Sequence, residues 1–127
     1  MSNGDGMKKI LVVDDDNIQL TIIEGILNPH YNVICAKSGA KALEHIVQGL
    51  HPALILLDIL MPEMDGFEVY RKLRAISLLN DIPIIFVSAV TETQEIQRAL
   101  KIGAADYITK PYDPEDLLQR IENTLRK

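Results

Sequence analysis

The chain is 127 residues long, 47% hydrophobic and 24% charged, with a net charge of −5 at neutral pH. That length suits one domain around one core, and the acidic balance argues against a nucleic-acid-binding face or attraction to an acidic membrane. A single cysteine, Cys35, excludes an internal disulfide and suits a reducing cytoplasm. The polar start MSNGDG does not read as a secretory leader, and no apolar run approaches membrane-spanning length. Residues 1–7 read as a flexible tail or a remnant foreign to the protein, and 8–127 as the domain.

Short apolar runs alternate with helix-period segments from Lys9 onward. The first strand spans Lys9–Val13 and runs into three carboxylates, Asp14, Asp15 and Asp16. A helix follows over 17–27. A strand at Val33–Ala36 leads through Ser38, an N-cap type, into a helix over 39–49. The third strand, Ala53–Leu57, ends at Asp58 within LILLDILMPEMDG, and a helix covers 66–76. The fourth, Ile84–Val87, delivers Ser88 and precedes a helix over 92–102 that Gly103 ends. The fifth, Asp106–Thr109, delivers Lys110 and Pro111. Asp113 then reads as an N-cap with Pro114 at the first position of a helix over 114–126.

ILVV, LILL and IIFV are apolar without alternation, as central strands of a parallel sheet must be when helices cover both faces. DYIT is more mixed and suits an edge. Five βα units with short connections imply a doubly wound α/β sandwich. Ligands of such sheets sit beyond the carboxyl ends of the strands, so the residues ending each strand define the candidate site.

Asp14, Asp15 and Asp58 crowded together would repel unless a cation sits among them. A hard ion such as Mg²⁺ takes oxygen ligands and keeps several waters. Lys110 supplies a second positive charge and could pair with Asp58 when no anion is bound. Ser88 offers a hydroxyl. Asp58 stands alone at the end of the middle strand, and a carboxylate can form an acyl phosphate. Phosphoryl transfer needs mainly positioning and charge neutralisation, which this set supplies.

The fragments ILVVDDD, LILLDILMPEMDG, FVSA and GAADYITKP, in this order and spacing, resemble the receiver domains of bacterial two-component response regulators, chemotaxis regulators among them. The resemblance covers residues 8–126. It implies a flavodoxin-like (βα)5 sandwich with a five-stranded parallel sheet of order 2-1-3-4-5. It implies that Asp58 accepts phosphate from the phosphohistidine of a sensor histidine kinase, in a self-catalysed switch rather than a turnover enzyme. Asp15 and Asp58 would bind Mg²⁺ directly, Asp14 through water, and the backbone carbonyl of Leu60 would complete the protein ligands. Lys110 would pair with the phosphoryl group, and its bond to Pro111 would be cis. Ser88 and Tyr107 would carry the switch: Ser88 moves toward the phosphoryl oxygen and Tyr107 turns inward. The face of the fourth helix, fifth strand and fifth helix would then change its preference for an output domain, an effector or a second copy of the chain.

Other readings weigh against this one. An aspartyl-nucleophile, Mg²⁺-dependent phosphatase would want a second carboxylate two residues past the nucleophile, where Leu60 stands. A flavin module would need phosphate donors after the first strand, where carboxylates repel phosphate. Asp16 and Asp65 read as helix caps and turn residues, Cys35 as a small core residue, and His30, His45 and His51 share no strand end, so they do not suggest a metal site. Leu60 and Val90, two residues beyond Asp58 and Ser88, are apolar and cannot orient an attacking water, which implies slow loss of phosphate.

Overall fold

The computed structural model describes residues 7–127, so the expected tail, Met7 apart, lies outside the described residues. The strands are β1 (Lys9–Val13), β2 (Asn32–Ala36), β3 (Leu54–Leu57), β4 (Ile84–Ser88) and β5 (Asp106–Thr109). The helices are α1 (Asn17–Leu27), α2 (Gly39–Val47), α3 (Gly66–Arg74), α4 (Thr93–Lys101) and α5 (Pro114–Arg126). The sheet is parallel throughout, in the order β2-β1-β3-β4-β5.

Alternate residues of each central strand point to opposite faces, and both faces are covered. Leu11, Val13, Ile55, Leu57 and Phe86 pack with Phe67, Val69 and Leu73 of α3. Ile10, Val12, Leu54, Leu56 and Ile85 pack with Leu20, Ile23 and Leu27 of α1 and with Leu117 and Ile121 of α5. This two-sided burial is why β1, β3 and β4 carry no polar alternation.

Expected caps hold at three helices. Asp16, Ser38 and Asp65 accept from the backbone N–H of Ile18, Lys41 and Glu68. Asp113 also occupies the expected N-cap position with Pro114 following, though without a side-chain capping bond. Proline preorganises the first turn by its fixed φ, and Asp113 needs only its backbone carbonyl, which accepts from Leu117 N–H at 3.0 Å.

Three helices, α2, α3 and α4, are shorter than their periodicity suggests. Gln48 caps α2, and Gly49 turns the chain at φ +108°. The expected end of α3 at Ile76 is taken instead by a 3₁₀ turn, Ser77–Leu79. The Arg74 guanidinium closes it, donating to the carbonyls of Leu79 and Ile82 at 2.8 Å each while lying over the Tyr70 ring.

Candidate functional site

The sheet ladder continues one residue past three strands, which places the polar groups. Asp14 N–H donates to Ala36 O at 3.1 Å, Asp58 N–H to Val13 O at 3.0 Å, and Lys110 N–H to Ser88 O at 2.9 Å. Each backbone is thus fixed by its neighbouring strand, and the side chains meet at one edge. Oxygens of Asp14, Asp15 and Asp58 lie within 4.8 Å of one another. Asp14 and Asp58 are buried, each 6% exposed, whereas Asp15 is open to solvent. Hard, clustered oxygen donors with one open side fit a small divalent cation that keeps waters.

The Lys110 ammonium reaches both buried acids, at 2.6 Å from Asp14 Oδ2 and 3.5 Å from Asp58 Oδ2. The pairing expected from sequence was with Asp58; the shorter bond is to Asp14. The Asp14 carboxylate also accepts from Asp16 N–H at 3.0 Å. Burial pushes the Asp58 carboxyl up from its ordinary value, and the Asp14 charge adds to this. Lys110, Ser88 and the Leu60 N–H pull it back without cancelling the rise. Burial lowers Lys110, but its hydrogen bond to Asp14 and the charges of Asp58 and Asp14 outweigh that, and the net direction is up.

Gly66 shapes the loop beyond Asp58 by close approach. A Cβ there would come within 2.2 Å of the Asp58 carbonyl oxygen and 2.7 Å of Ile59 Cα, so only glycine fits. Gly66 N–H in turn donates to Ile59 O at 2.8 Å. Glu63 turns this loop at φ +67°. Leu60 is 59% exposed at the mouth, and Val90 is half-buried.

Ser88 is fully buried and favours the ionised forms of both Asp58 and Tyr107, as a hydroxyl standing between them would. Its Oγ accepts from Val90 N–H at 3.3 Å. Tyr107 lies inward, with its hydroxyl donating to Val90 O at 2.6 Å and its ring against Phe86. The Lys110–Pro111 peptide is cis, as the resemblance implies.

Two neighbours were not singled out from the sequence. Gln19 and Tyr112 line a cavity of about 10 Å³, water-sized, beneath Asp14, Asp58 and Lys110. The Tyr112 hydroxyl is buried without a hydrogen-bond partner among the described residues. Its place two residues after Lys110 was the available signal. Asp16 and Asp65 serve as caps, and none of the three histidines joins a metal-like cluster among the described residues.

The pattern of the response regulator receiver domain matches residues 10–122. A relative described as "Probable transcriptional regulator ycf27" from Cyanophora paradoxa is 42% identical over 94% of this chain and 49% of its own length. "Two-component response regulator ORR5" of Oryza sativa subsp. japonica is 34% identical over 95% of this chain and 91% of its own. The chain thus spans about half the length of the first relatives it matches and nearly all of the other. Among solved structures, the chemotaxis protein CheY4 of Vibrio cholerae aligns with a TM-score of 0.86 at 30% identity, over 94% of this chain and 99% of that one. The BeF3-activated DrrB receiver domain aligns at 0.84 and 26%, over 95% and 99%. With the acids, the lysine and the serine gathered at one end of a 2-1-3-4-5 sheet, the chain belongs to the response regulator receiver domains of two-component signalling.

Proposed function

We propose that Asp58 is the phosphoacceptor of this receiver. The observation that carries this is the Asp58 carboxylate at the tip of the central strand, 3.5 Å from an ammonium and inside a three-acid cluster. A carboxylate oxygen of Asp58 attacks phosphorus, the P–N bond to the donor imidazole breaks, and its electron pair stays on the departing nitrogen. Lys110 neutralises phosphoryl oxygens, exchanging its bond to Asp14 for one to the new anion, and the Ser88 hydroxyl donates to another. Asp15 and Asp58 would hold Mg²⁺ directly, with Asp14 acting through water and the Leu60 carbonyl as a further ligand; the ion would supply charge neutralisation. The chain's role is self-catalysed transfer onto itself, as a signalling switch.

The donor is the phosphohistidine of a sensor kinase. An open groove of about 520 Å³ borders Lys110 and is lined by Ile22, Ile26, Pro111 and Tyr112, apolar enough to seat a donor helix beside the acceptor. Phosphorylation draws Ser88 toward the new oxygen, holds Tyr107 inward and biases the α4-β5-α5 face toward an output domain, effector or second copy. The setting is a reducing cytoplasm, which the single cysteine, Cys35, suits; among the described residues no helix is long and apolar enough to cross a membrane. Intact mass after incubation with Mg²⁺ and acetyl phosphate tests the reading. One added phosphoryl group is expected, lost in Asp58→Asn; a persisting adduct in that variant, or none in the wild type, refutes it.

A further inference from the structure

α4 is the most loosely seated of the helices. Ala99 is its only fully buried residue, whereas α3 buries five. Its N-cap residue, Glu92, makes no side-chain capping bond. Two tyrosine hydroxyls compensate from the core. Tyr107 donates to Val90 O, in the loop that enters α4, at 2.6 Å. Tyr70, on α3, donates to Ile102 O, at the exit of α4, at 3.2 Å.

Both rings pack against Phe86, which is wholly buried, with centroids at 6.3 Å for Tyr107 and 5.8 Å for Tyr70. Arg74, itself fixed by the carbonyls of Leu79 and Ile82, lies over Tyr70 with its guanidinium carbon 5.0 Å from the ring centroid. Gly103, at φ +114°, leaves room for the hydroxyl, since a Cβ there would come within 2.9 Å of Tyr70 Oη.

We propose that Tyr70 is a positioning residue for α4: its hydroxyl clamps the C-terminal end of the helix while Tyr107 clamps the entry, both braced on Phe86. Besides Tyr107, α4 is held by Ala99, by Ile96 against the core and by the Arg98 guanidinium 3.9 Å over the Phe67 ring, and Tyr70 adds a hydrogen bond at its C-cap carbonyl. With Tyr70 in place, displacing the entry loop strains the helix against a fixed far end. Its motion is then a pivot about Ile102 rather than a drift. That this motion carries the signal rests on the proposed switching; the clamp itself does not.

The test is Tyr70→Phe in the full chain, without phosphoryl donor or Mg²⁺, so its outcome is independent of whether Asp58 is phosphorylated. The variant keeps the ring and removes only the hydroxyl. Amide hydrogen exchange is followed by NMR at Ile96–Ile102 and, as an internal reference, at Leu54–Leu57 of β3. Loss of one such bond corresponds to about five-fold faster exchange in α4, greatest toward Ile102, with a smaller change in β3. Unchanged α4 exchange, or a rise no larger than in β3, overturns the proposal, because a general packing defect would speed both alike.

Discussion

Replacing Lys110 by methionine removes the cation from two buried acids while keeping most of the side-chain volume. The Lys110, Asp14 and Asp58 side chains are only 15%, 8% and 8% exposed, so solvent screens them little. At an effective dielectric of about 20, attraction is ~6 kcal/mol for the 2.6 Å pair with Asp14 and ~5 kcal/mol for the 3.5 Å pair with Asp58. Desolvation offsets much of this. Removing one partner of a buried pair typically costs about 3–5 kcal/mol, and the lower end applies here because Asp58 can take up a proton.

The pH dependence separates charge from packing. Asp58 titrates above its ordinary 3.8 in the folded chain, so the fold holds that proton more tightly than the unfolded chain does. Stability is greatest below 3.8 on this account and declines as pH rises through the folded value. Lys110→Met removes the charge that pulls Asp58 down, which enlarges the decline. Urea unfolding is therefore expected to show a deficit of about 3 kcal/mol at pH 7, falling by more than half at about pH 4. Lys110 itself titrates above 10.5, so its contribution persists below 10.5 and disappears as pH rises through the folded value; the variant lacks that alkaline loss. A deficit of equal size at both acidic and neutral pH would refute the electrostatic account.

Other perturbations follow from the same geometry. Gly66→Ala drives a Cβ onto the Asp58 carbonyl, so a loss of about 2 kcal/mol or more in urea unfolding is expected, with slower labelling by acetyl phosphate; wild-type behaviour in both would show that the loop yields freely. Leu60→Asn puts an amide at the exposed mouth beside Asp58 and is expected to speed phosphate release by roughly ten-fold through water positioning, followed as inorganic phosphate. An unchanged rate would mean that residue 60 does not govern hydrolysis. Arg74→Ala unties the 3₁₀ turn and uncovers Tyr70; about 2 kcal/mol of stability should go, read by thermal unfolding, with Arg74→Lys recovering only part because an ammonium can donate to the carbonyls but has no planar face to lie over the Tyr70 ring.

Much of the fold was legible because its signals are local. Apolar runs, helix period, and the caps Asp16, Ser38 and Asp65 each act within a few residues, and parallel connectivity sends every strand's carboxyl end to the same edge. Asp14, Asp58, Ser88 and Lys110 could therefore be assigned to one site before any contact was known. Tertiary structure decided what depends on distance between remote segments. It set which acid Lys110 holds more closely, across 96 residues to Asp14. It gave Gly66 a backbone neighbour that no Cβ can share, and brought Tyr70 to Ile102 across 32 residues. Such contacts have no periodic trace in the chain, because they arise only when packing of both faces of the sheet fixes the helices against one another.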